Sequence, residues 1–201
     1  MPSRAWWISC AAIPILSPDS CSPDMSRCFF ALWPDDSTRE RLAAAARGVS
    51  HHGRPVEPGN FHLTLVFLGG ISKERVQELL QGASELHYPS FTLNLDRAGW
   101  WGGPRVLWLA PTLIPDRLTR LVNGLSDLAH RAGIVLDERP YNPHLTIARK
   151  VRDFTGSAEF EAVKWRAGKF HLLESKSLKS GVVYEPLAAW PLIAEGPPTE
   201  R

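Results

Sequence analysis

The sequence predicts an α+β fold of two pseudo-symmetric lobes, each an antiparallel sheet with helices on its outer side, with a cleft between the lobes. Three observations lead to this prediction. Short runs in which apolar residues alternate, as in strands, are interleaved with three segments that have helical spacing. The elements repeat in two similar halves, which favours one sheet per half. A His-x-Thr pattern also recurs about 80 residues after its first copy.

The first half of the chain contains three predicted strands and two helices. The sequence Ser37-Thr38-Arg39-Glu40 has the form of a capping box, which predicts the start of the first helix. Ser72 is a suitable cap for the second helix. The strands are predicted over 27–33, over 61–68 with an end at Gly69-Gly70, and over 91–95.

The second half continues with a loop over residues 100–104 and a strand over 105–109. Pro115 suits the first turn of a third helix, and Gly133 suits its end. Its apolar stripe has a spacing of three and four residues. The second His-x-Thr strand follows at 143–149, and two closing strands are predicted over 169–175 and 182–187.

The composition is that of an ordinary soluble globular protein. Of the 201 residues, 44% are hydrophobic and 22% are charged, and the net charge is +2. This weak positive charge permits an anionic ligand without requiring one. No segment approaches the ~20 consecutive apolar residues of a membrane span, so we expect no membrane partner. We expect the protein to be a monomer.

Residues 1–24 differ from the rest of the chain, since they are rich in Ser and Pro. A signal peptide is one explanation, but the apolar run contains Pro14 and no small-x-small cleavage site follows it. We therefore expect an atypical extension, disordered or placed before a natural start at Met25. The bilobal domain is expected over residues 25–194, followed by a frayed tail over 195–201.

The three cysteines, Cys10, Cys21 and Cys28, do not form a recognisable framework. Their number is odd and their spacing fits no zinc site. A disulfide-stabilised fold is therefore not expected, and a reducing cytoplasm is the expected location.

The His-x-Thr pattern occurs as His62-Leu63-Thr64-Leu65 and as His144-Leu145-Thr146-Ile147. Side chains alternate along a strand, so the histidine and threonine of each copy share one face and the aliphatic residues share the other. If the two strands are neighbours, two histidines and two threonines line one cleft. A single copy is more simply a strand histidine with satisfied hydrogen bonds, but two copies with similar neighbours are rarely a chance result.

The paired motif resembles that of the two-histidine (2H) phosphoesterases, and within them the RNA 2′,3′-cyclic phosphodiesterases, historically called 2′-5′ RNA ligases. The resemblance extends from about Met25 to Leu192 and excludes the first 24 residues. The paired motif is specific for the superfamily and less specific for an RNA substrate. Other matching segments are Phe29-Phe30-Ala31-Leu32, Phe67-Leu68-Gly69, Arg105-Val106-Leu107-Trp108-Leu109, Arg139-Pro140, Glu174-Ser175, Gly181 and Tyr184.

The resemblance implies that His62 protonates the leaving O3′ and that His144 activates the attacking water, which gives a 2′-phosphate product. A pair of histidines can share these roles near neutral pH. We expect the hydroxyls of Thr64 and Thr146 to donate hydrogen bonds to the phosphoryl oxygens. The strained cyclic phosphate assists its own opening, so no metal or cofactor is expected.

Arg149 is the remaining candidate for binding the phosphate. It lies five residues after His144, so in a regular strand it would face away from the cleft. A β-bulge, or a strand that ends at Ala148, would bring its guanidinium round to the phosphate. Arg139, Lys150 and Arg152 add a local cluster of positive charge around the second motif.

Other interpretations of these residues remain open at this stage. A two-histidine zinc site is the rival for His62 and His144, although no carboxylate or cysteine accompanies either at ligand spacing. The remaining histidines have simpler explanations in polar loops, at helix ends or in a late strand: His51, His52, His87, His130 and His171. Four tryptophans could stack on a nucleobase or simply pack in the fold: Trp33, Trp100, Trp101 and Trp108.

Three functions are compatible with the sequence. The first is hydrolysis of an RNA terminus with a 2′,3′-cyclic phosphate, with reverse ligation as a further activity. The second keeps the fold but acts on a small cyclic nucleotide of the ADP-ribose cyclic phosphate type. The third is a nucleotide- or RNA-binding module without catalysis, which would have no need of two paired acid–base groups.

Overall fold

The computed structural model describes residues 25–154, 159–178 and 181–193, and the predicted extension and tail lie outside these ranges. The described residues form three α-helices and nine strands. In chain order they are β1 (Met25–Leu32), α1 (Asp36–Arg47), β2 (Arg54–Pro55), β3 (Leu63–Ser72), α2 (Lys73–Ser84), β4 (Phe91–Trp101), β5 (Val106–Pro111), α3 (Asp116–Arg131), β6 (Leu145–Arg149), β7 (Val163–Ala167), β8 (Lys169–Leu178) and β9 (Gly181–Pro191). None of these helices combines the length and apolar character needed to cross a membrane.

The strands form one strongly curled, antiparallel sheet with the order β7-β4-β5-β6-β3-β1-β8-β9 across the described residues. The two motif strands, β3 and β6, lie at its centre and meet through the residue pair Leu63 and Leu145. Three further strands extend outward from each of them. At its far end β6 pairs instead with the short strand β2. This arrangement confirms the predicted α+β fold with two related lobes.

Each lobe of the sheet contains strands from both halves of the chain. β4 follows β3 in the chain, yet it pairs with β5 in the other lobe. β8 follows β7, yet it pairs with β1. The helices cross over as well, since α1 packs against β7 and α3 packs against β3. Neither lobe can therefore form from a single half of the chain.

The predicted burial pattern is confirmed in both motif strands. Leu63, Leu65, Leu145 and Ile147 are buried in the main core, whereas the alternate residues are only partly buried. The main core also includes the stripe of α3, with Leu118, Leu121 and Leu125 fully buried. Gly133 ends α3 with a φ of 68°, a left-handed conformation that glycine adopts readily.

Several local predictions about helix and strand limits are wrong. Strand β3 does not end at Gly69-Gly70 but continues to Ser72. The cap of α1 is Asp35 rather than Ser37, because the Asp35 carboxylate accepts a hydrogen bond from the Thr38 amide at 2.7 Å. Trp100 and Trp101 belong to β4 rather than to a loop, since they pair with the start of β5. Strand β7 was not predicted, although its residues alternate between buried and exposed in the manner of a half-buried strand.

Cys28, the cysteine in the described residues, is a buried free thiol in β1. Burial raises its pKa to about 12, and the nearby Glu174 carboxylate adds to the shift. The thiol therefore stays protonated and unreactive at neutral pH.

Candidate active site

Two histidines occupy equivalent positions immediately before the two central strands. His62 follows the 3-10 turn Pro58–Asn60, and its Nδ1 lies 2.7 Å from the carbonyl oxygen of Asn60. The Nδ1 of His144 lies 2.8 Å from the carbonyl oxygen of Asn142. Because a carbonyl oxygen only accepts hydrogen bonds, each Nδ1 donates, and Nε2 is the ring nitrogen left for proton transfer.

The sequence placed both histidines inside strands, and this detail is wrong. The strands begin one residue later, at Leu63 and Leu145. A 3-10 turn precedes the first histidine, and Pro143 precedes the second. The Phe61 amide donates to the Pro58 carbonyl oxygen within the turn instead of to a strand, and Pro143 lacks the amide hydrogen that strand pairing requires.

The register of the central strands brings the two motifs together. Leu63 pairs with Leu145 in antiparallel register. Extended by one residue in each direction, this register sets His62 across from Thr146 and Thr64 across from His144. Directly opposed side chains in a sheet point to the same face, with their Cβ atoms about 5 Å apart. The two imidazoles and two hydroxyls thus form one four-residue group, in which each histidine faces the other motif's threonine.

Each motif strand carries a β-bulge directly after its threonine. In both strands the bulge leaves two successive side chains buried. These residues are Leu65 and Val66 in β3, and Ile147 and Ala148 in β6. Beyond the bulge, side chains alternate between the two faces again, but each points to the face opposite to the one that a regular strand would give it. The reversal turns Arg149 to the cleft face, so the bulge resolves the parity problem that regular alternation posed.

Arg149 is the last residue of β6 and its side chain is exposed. Its positive charge lowers the pKa of both His62 and His144, so the guanidinium lies within electrostatic range of both rings. Phe67 holds the equivalent place in β3, where it is 52% exposed and its ring centroid lies 6.1 Å from that of Phe29. The cleft therefore has a cation on one wall and an exposed aromatic ring at the matching position on the other.

Aromatic side chains surround His62. Its ring centroid lies 5.1 Å from Phe29 and 4.6 Å from Tyr184, which it meets edge-on. The Trp33 ring is nearly parallel to the imidazole at 6.4 Å. These contacts fix the ring and remove much of its hydration.

His144 has a separate aromatic wall. Trp101 meets it edge-on at 4.5 Å between centroids and packs on Trp108 at 5.2 Å. Of the four tryptophans considered as stacking candidates, Trp33 and Trp101 therefore border the histidines. Trp108 is 8% exposed beneath Trp101, and Trp100 instead donates its indole N–H to the Val151 carbonyl oxygen.

Both histidines are uncharged near neutral pH. Burial lowers the pKa of His62 to about 4, and the charges of Arg149 and His144 add to the shift. Burial also lowers the pKa of His144, again with a contribution from Arg149. In both rings the hydrogen bond to the backbone carbonyl opposes the shift without cancelling it. Each neutral ring has Nε2 available to accept a proton, but the lowered pKa makes both rings weaker bases than free histidine. An anion in the cleft would favour the protonated form.

Sequence reasoning missed several residues that position this group. Asn60 and Asn142 each stand two residues before a motif histidine and provide its carbonyl partner. The repeated pattern Asn-x-His-Leu-Thr was a visible signal for them. Tyr141 donates a hydrogen bond from its hydroxyl to the Thr64 carbonyl oxygen at 3.1 Å, which ties the segment before β6 to β3. No sequence pattern pointed to this contact.

The other predicted candidates lie apart from this group. Arg139 forms an ion pair with Asp137 on the surface. His87 and His130 are exposed. His171 is partly buried and pairs with Ala31 on β1, which also pairs with Thr64, so His171 lies on the cleft face of the sheet two strands away from Thr64. Among the residues that the structure describes, no three His, Cys, Asp or Glu side chains lie together as a metal-ligand group.

A comparison with known families matches the chain to LigT like Phosphoesterase over residues 32–108 and again over 109–184. Each match contains one His-x-Thr motif. The chain is 35% identical over 170 residues to the RNA 2′,3′-cyclic phosphodiesterase of Escherichia coli K12, covering 83% of this chain and 96% of that protein. It is 31% identical over 131 residues to the protein of the same name from Archaeoglobus fulgidus, covering 63% and 73%.

The fold is also similar to solved structures. The crystal structure of E. coli LigT complexed with 3′-AMP aligns with a TM-score of 0.75 and 33% sequence identity, covering 84% of this chain and 99% of that one. The same E. coli protein has been solved in complex with NADP+. The structural similarity therefore extends over most of the chain.

Proposed function

The chain belongs to the LigT-like phosphoesterase family, and on that premise we propose that it hydrolyses RNA 2′,3′-cyclic phosphate ends to 2′-phosphate ends by paired-histidine acid–base catalysis. The observation that carries this proposal is the four-residue group of two imidazoles and two hydroxyls, with the Arg149 charge beside it. The relatives named RNA 2′,3′-cyclic phosphodiesterase support the choice of substrate.

In the proposed reaction, water attacks the phosphorus and the P–O3′ bond breaks. Nε2 of His144 takes the proton of the attacking water, and Nε2 of His62 gives a proton to the leaving O3′. One proton is accepted and one is donated, so the product is a 2′-phosphate with a free 3′-hydroxyl. The hydrogen bonds from Nδ1 to Asn60 and Asn142 hold both rings in the tautomer that this exchange needs.

The low pKa of His62 has a consequence for this role. A histidine with a pKa of about 4 is almost entirely neutral at pH 7 in the free protein. The negative phosphodiester bound beside it would favour the imidazolium and raise its pKa. We propose that substrate binding itself loads His62 with the proton that it later donates.

The hydroxyls of Thr64 and Thr146 are proposed to donate hydrogen bonds to the non-bridging phosphoryl oxygens. These oxygens gain negative charge in the transition state, so fixed donors stabilise that state more than the substrate. Arg149 is proposed to neutralise the same charge from the open side of the cleft. The same site is proposed to carry out 2′-5′ ligation when a ribose 5′-hydroxyl replaces water as the nucleophile: the 5′-oxygen bonds to phosphorus, the P–O3′ bond breaks, and His62 protonates the leaving O3′.

A small cyclic nucleotide is the second candidate substrate. The observation that favours it is the partly exposed Trp33 ring beside His62 together with the exposed Phe67 ring, which could hold a single base without a longer chain. The E. coli LigT structures with 3′-AMP and NADP+ agree with mononucleotide binding in that protein. Substrate length therefore has to be varied in the test.

The test is to incubate the purified protein, in the presence of a chelator, with adenosine 2′,3′-cyclic phosphate and with a short RNA that ends in the same nucleotide. We expect a 2′-phosphate product from the RNA. His62→Ala and His144→Ala should each lower the rate by at least ~10²-fold, the usual value of one proton-transfer role.

His87→Ala is the matched control for these variants. Its Nδ1 also lies near a backbone carbonyl two residues earlier, at 2.8 Å from the Glu85 oxygen, but the ring is exposed outside the cleft. It should retain the full rate. A 3′-phosphate product would reverse the two histidine roles. If the native protein leaves the RNA unaltered but hydrolyses the mononucleotide, and both histidine variants are inactive on the mononucleotide, the small cyclic nucleotide becomes the proposed substrate. A fully active His62→Ala or His144→Ala would reject paired-histidine catalysis.

A further inference from the structure

A strongly basic pocket opens at the far end of β6, directly beyond the candidate active site. Its volume is about 790 Å³, and its lining residues are His52, Gly53, Arg54, Arg105, Lys150 and Arg152. None of these residues is acidic. Among the described residues no carboxylate is ion-paired with any of the four cationic side chains. We call this feature the basic pocket.

The sheet places the basic pocket next to Arg149. Arg54 on β2 is the backbone partner of Arg149, and Val106 on β5 is its partner on the other side. Arg105 immediately precedes Val106, and Lys150 immediately follows Arg149. The distance along β6 from Thr146 to Arg149 is about 10 Å at ~3.3 Å per residue. The cationic residues of the basic pocket therefore follow directly after Arg149 at the end of β6.

The backbone around the basic pocket is unusual. Arg105 and Lys150 have φ values of 55° and 59°, and they are the two non-glycine residues with positive φ in the described part of the chain. Their segments are joined by a hydrogen bond from the Val151 amide to the Arg105 carbonyl oxygen at 3.1 Å. Left-handed conformations are sparsely populated by such residues and tend to occur at functional sites. Here both of them carry a cation into the same pocket.

Bringing several unpaired cations together is unfavourable unless an anion joins them, because like charges repel. In the proposed site, a single terminal phosphate is already bound by Arg149, Thr64 and Thr146. A chain of phosphodiesters that leaves the active site along β6 would meet the remaining cations in succession. Arg and Lys side chains are the usual partners of such a backbone.

We propose that the basic pocket binds the phosphodiester backbone of the RNA strand that leads to the cyclic end. It thereby distinguishes an oligonucleotide from a cyclic mononucleotide. This inference rests on the proposed function, since it concerns the same substrate. It adds a second binding site, formed by Arg54, Arg105, Lys150 and Arg152, to the one where the bond is broken.

The test compares KM for adenosine 2′,3′-cyclic phosphate with KM for a pentanucleotide that ends in the same group. We expect a lower KM for the pentanucleotide. Its KM should rise roughly sevenfold between 50 and 200 mM salt if two backbone phosphates are bound, at a slope of ~0.7 per contact. The triple variant Arg105→Gln/Lys150→Gln/Arg152→Gln should lose most of the difference in KM between the two substrates, and most of the salt dependence.

The control variant removes three exposed cations elsewhere, as Arg120→Gln/Arg131→Gln/Lys164→Gln, so the net charge changes by the same amount. It should leave the pentanucleotide KM unchanged. A second measurement uses the unmodified protein and a pentanucleotide with uncharged methylphosphonate linkages. This substrate should lose the advantage of length even if the triple variant does not fold.

The outcomes separate the two proposals. If both substrates are hydrolysed with equal KM, or if the methylphosphonate chain binds as well as the natural one, the basic pocket does not bind the backbone and the proposed function stands. Equal losses of pentanucleotide affinity in the two triple variants would also overturn the inference, because net charge alone would explain them. If neither substrate is hydrolysed, the proposed function is wrong, and the inference about the basic pocket, which rests on it, is rejected with it.

Discussion

Leu63 of β3 lies directly opposite Leu145 of β6, and both side chains are fully buried. This pair joins the two halves of the described sheet and sets the register of both motifs. One residue away on each strand, the side chains point to the opposite face and form the histidine–threonine group. The apolar contact below the sheet thus fixes the distance between the catalytic candidates above it.

Replacement of Thr64 or Thr146 by valine is expected to lower kcat by ~10²–10³, the usual cost of one lost hydrogen-bond donor to a developing oxyanion. Valine has nearly the same shape as threonine and suits a strand, so the free energy of unfolding should be the same as in the native protein. Single-turnover rates and urea denaturation measure the two quantities. Thr→Ser variants at the same positions are the controls and should keep most of the rate. A Thr→Val variant with full kcat would exclude the hydroxyl from the reaction.

Arg149→Gln is expected to raise the pKa of both His62 and His144, because the arginine charge lowers both values in the native protein. The two imidazole titrations can be followed by proton NMR. The same variant should lower kcat/KM through the lost phosphate contact. Arg120→Gln, on an exposed face of α3, should move neither titration. Unchanged histidine titrations in Arg149→Gln would place its guanidinium away from the cleft.

The pH dependence of kcat/KM and that of kcat should differ. The first reports the pKa values of the free enzyme, which lie below the usual 6.5 for the base His144 and for the acid His62, so the bell-shaped profile of kcat/KM should be centred below pH 6.5. The second reports the complex, in which the phosphate anion raises those values. We expect the optimum of kcat to lie about one pH unit or more above that of kcat/KM. Coincident optima would contradict the loading of His62 by substrate.

Acid should destabilise the fold through His62. Its folded-state pKa of about 4 is below the unfolded value near 6.5, so the unfolded chain takes up the proton first. The stability that depends on a neutral His62 is present above pH ~6.5 and is lost as the pH falls towards 4, by at most roughly 3 kcal/mol. His62→Gln should therefore lose less free energy of unfolding than the native protein between pH 7.5 and 4.5. Guanidinium denaturation at the two pH values measures this loss. Equal losses of the free energy of unfolding in the native protein and in His62→Gln would argue against a buried neutral ring.

Gly99→Ala should disturb the wall behind His144. A Cβ at this position would overlap the Trp108 ring, which packs on Trp101 beside the histidine. We expect a loss of about 1–3 kcal/mol in the free energy of unfolding, as for other overpacked sites, together with a lower kcat. Gly168→Ala is the control, since a Cβ there meets no atom within 4 Å. Calorimetry and initial rates give both readouts, and a neutral Gly99→Ala would show that Trp108 has room to move.

Much of the candidate site was visible in the sequence because strand alternation is a local property. The order Leu, Thr, Leu around Thr64 specifies which side chains are buried, whatever the partner strand. The same holds for Leu145, Thr146 and Ile147 in the second motif. Gly133 likewise identified the end of α3, since a left-handed residue at a helix terminus is a local requirement.

The partners of these strands were decided by tertiary structure. Strand β8 pairs with β1, and no local pattern encodes a pairing between segments so far apart in the chain. The bulge at Ile147 depends on the opposing strand β5, so the side taken by Arg149 could not be read from its own neighbours. The sequence by itself determined which side chains share a face within each His-x-Thr motif. The fold decided which faces meet, because pairing and burial depend on residues far apart in the chain.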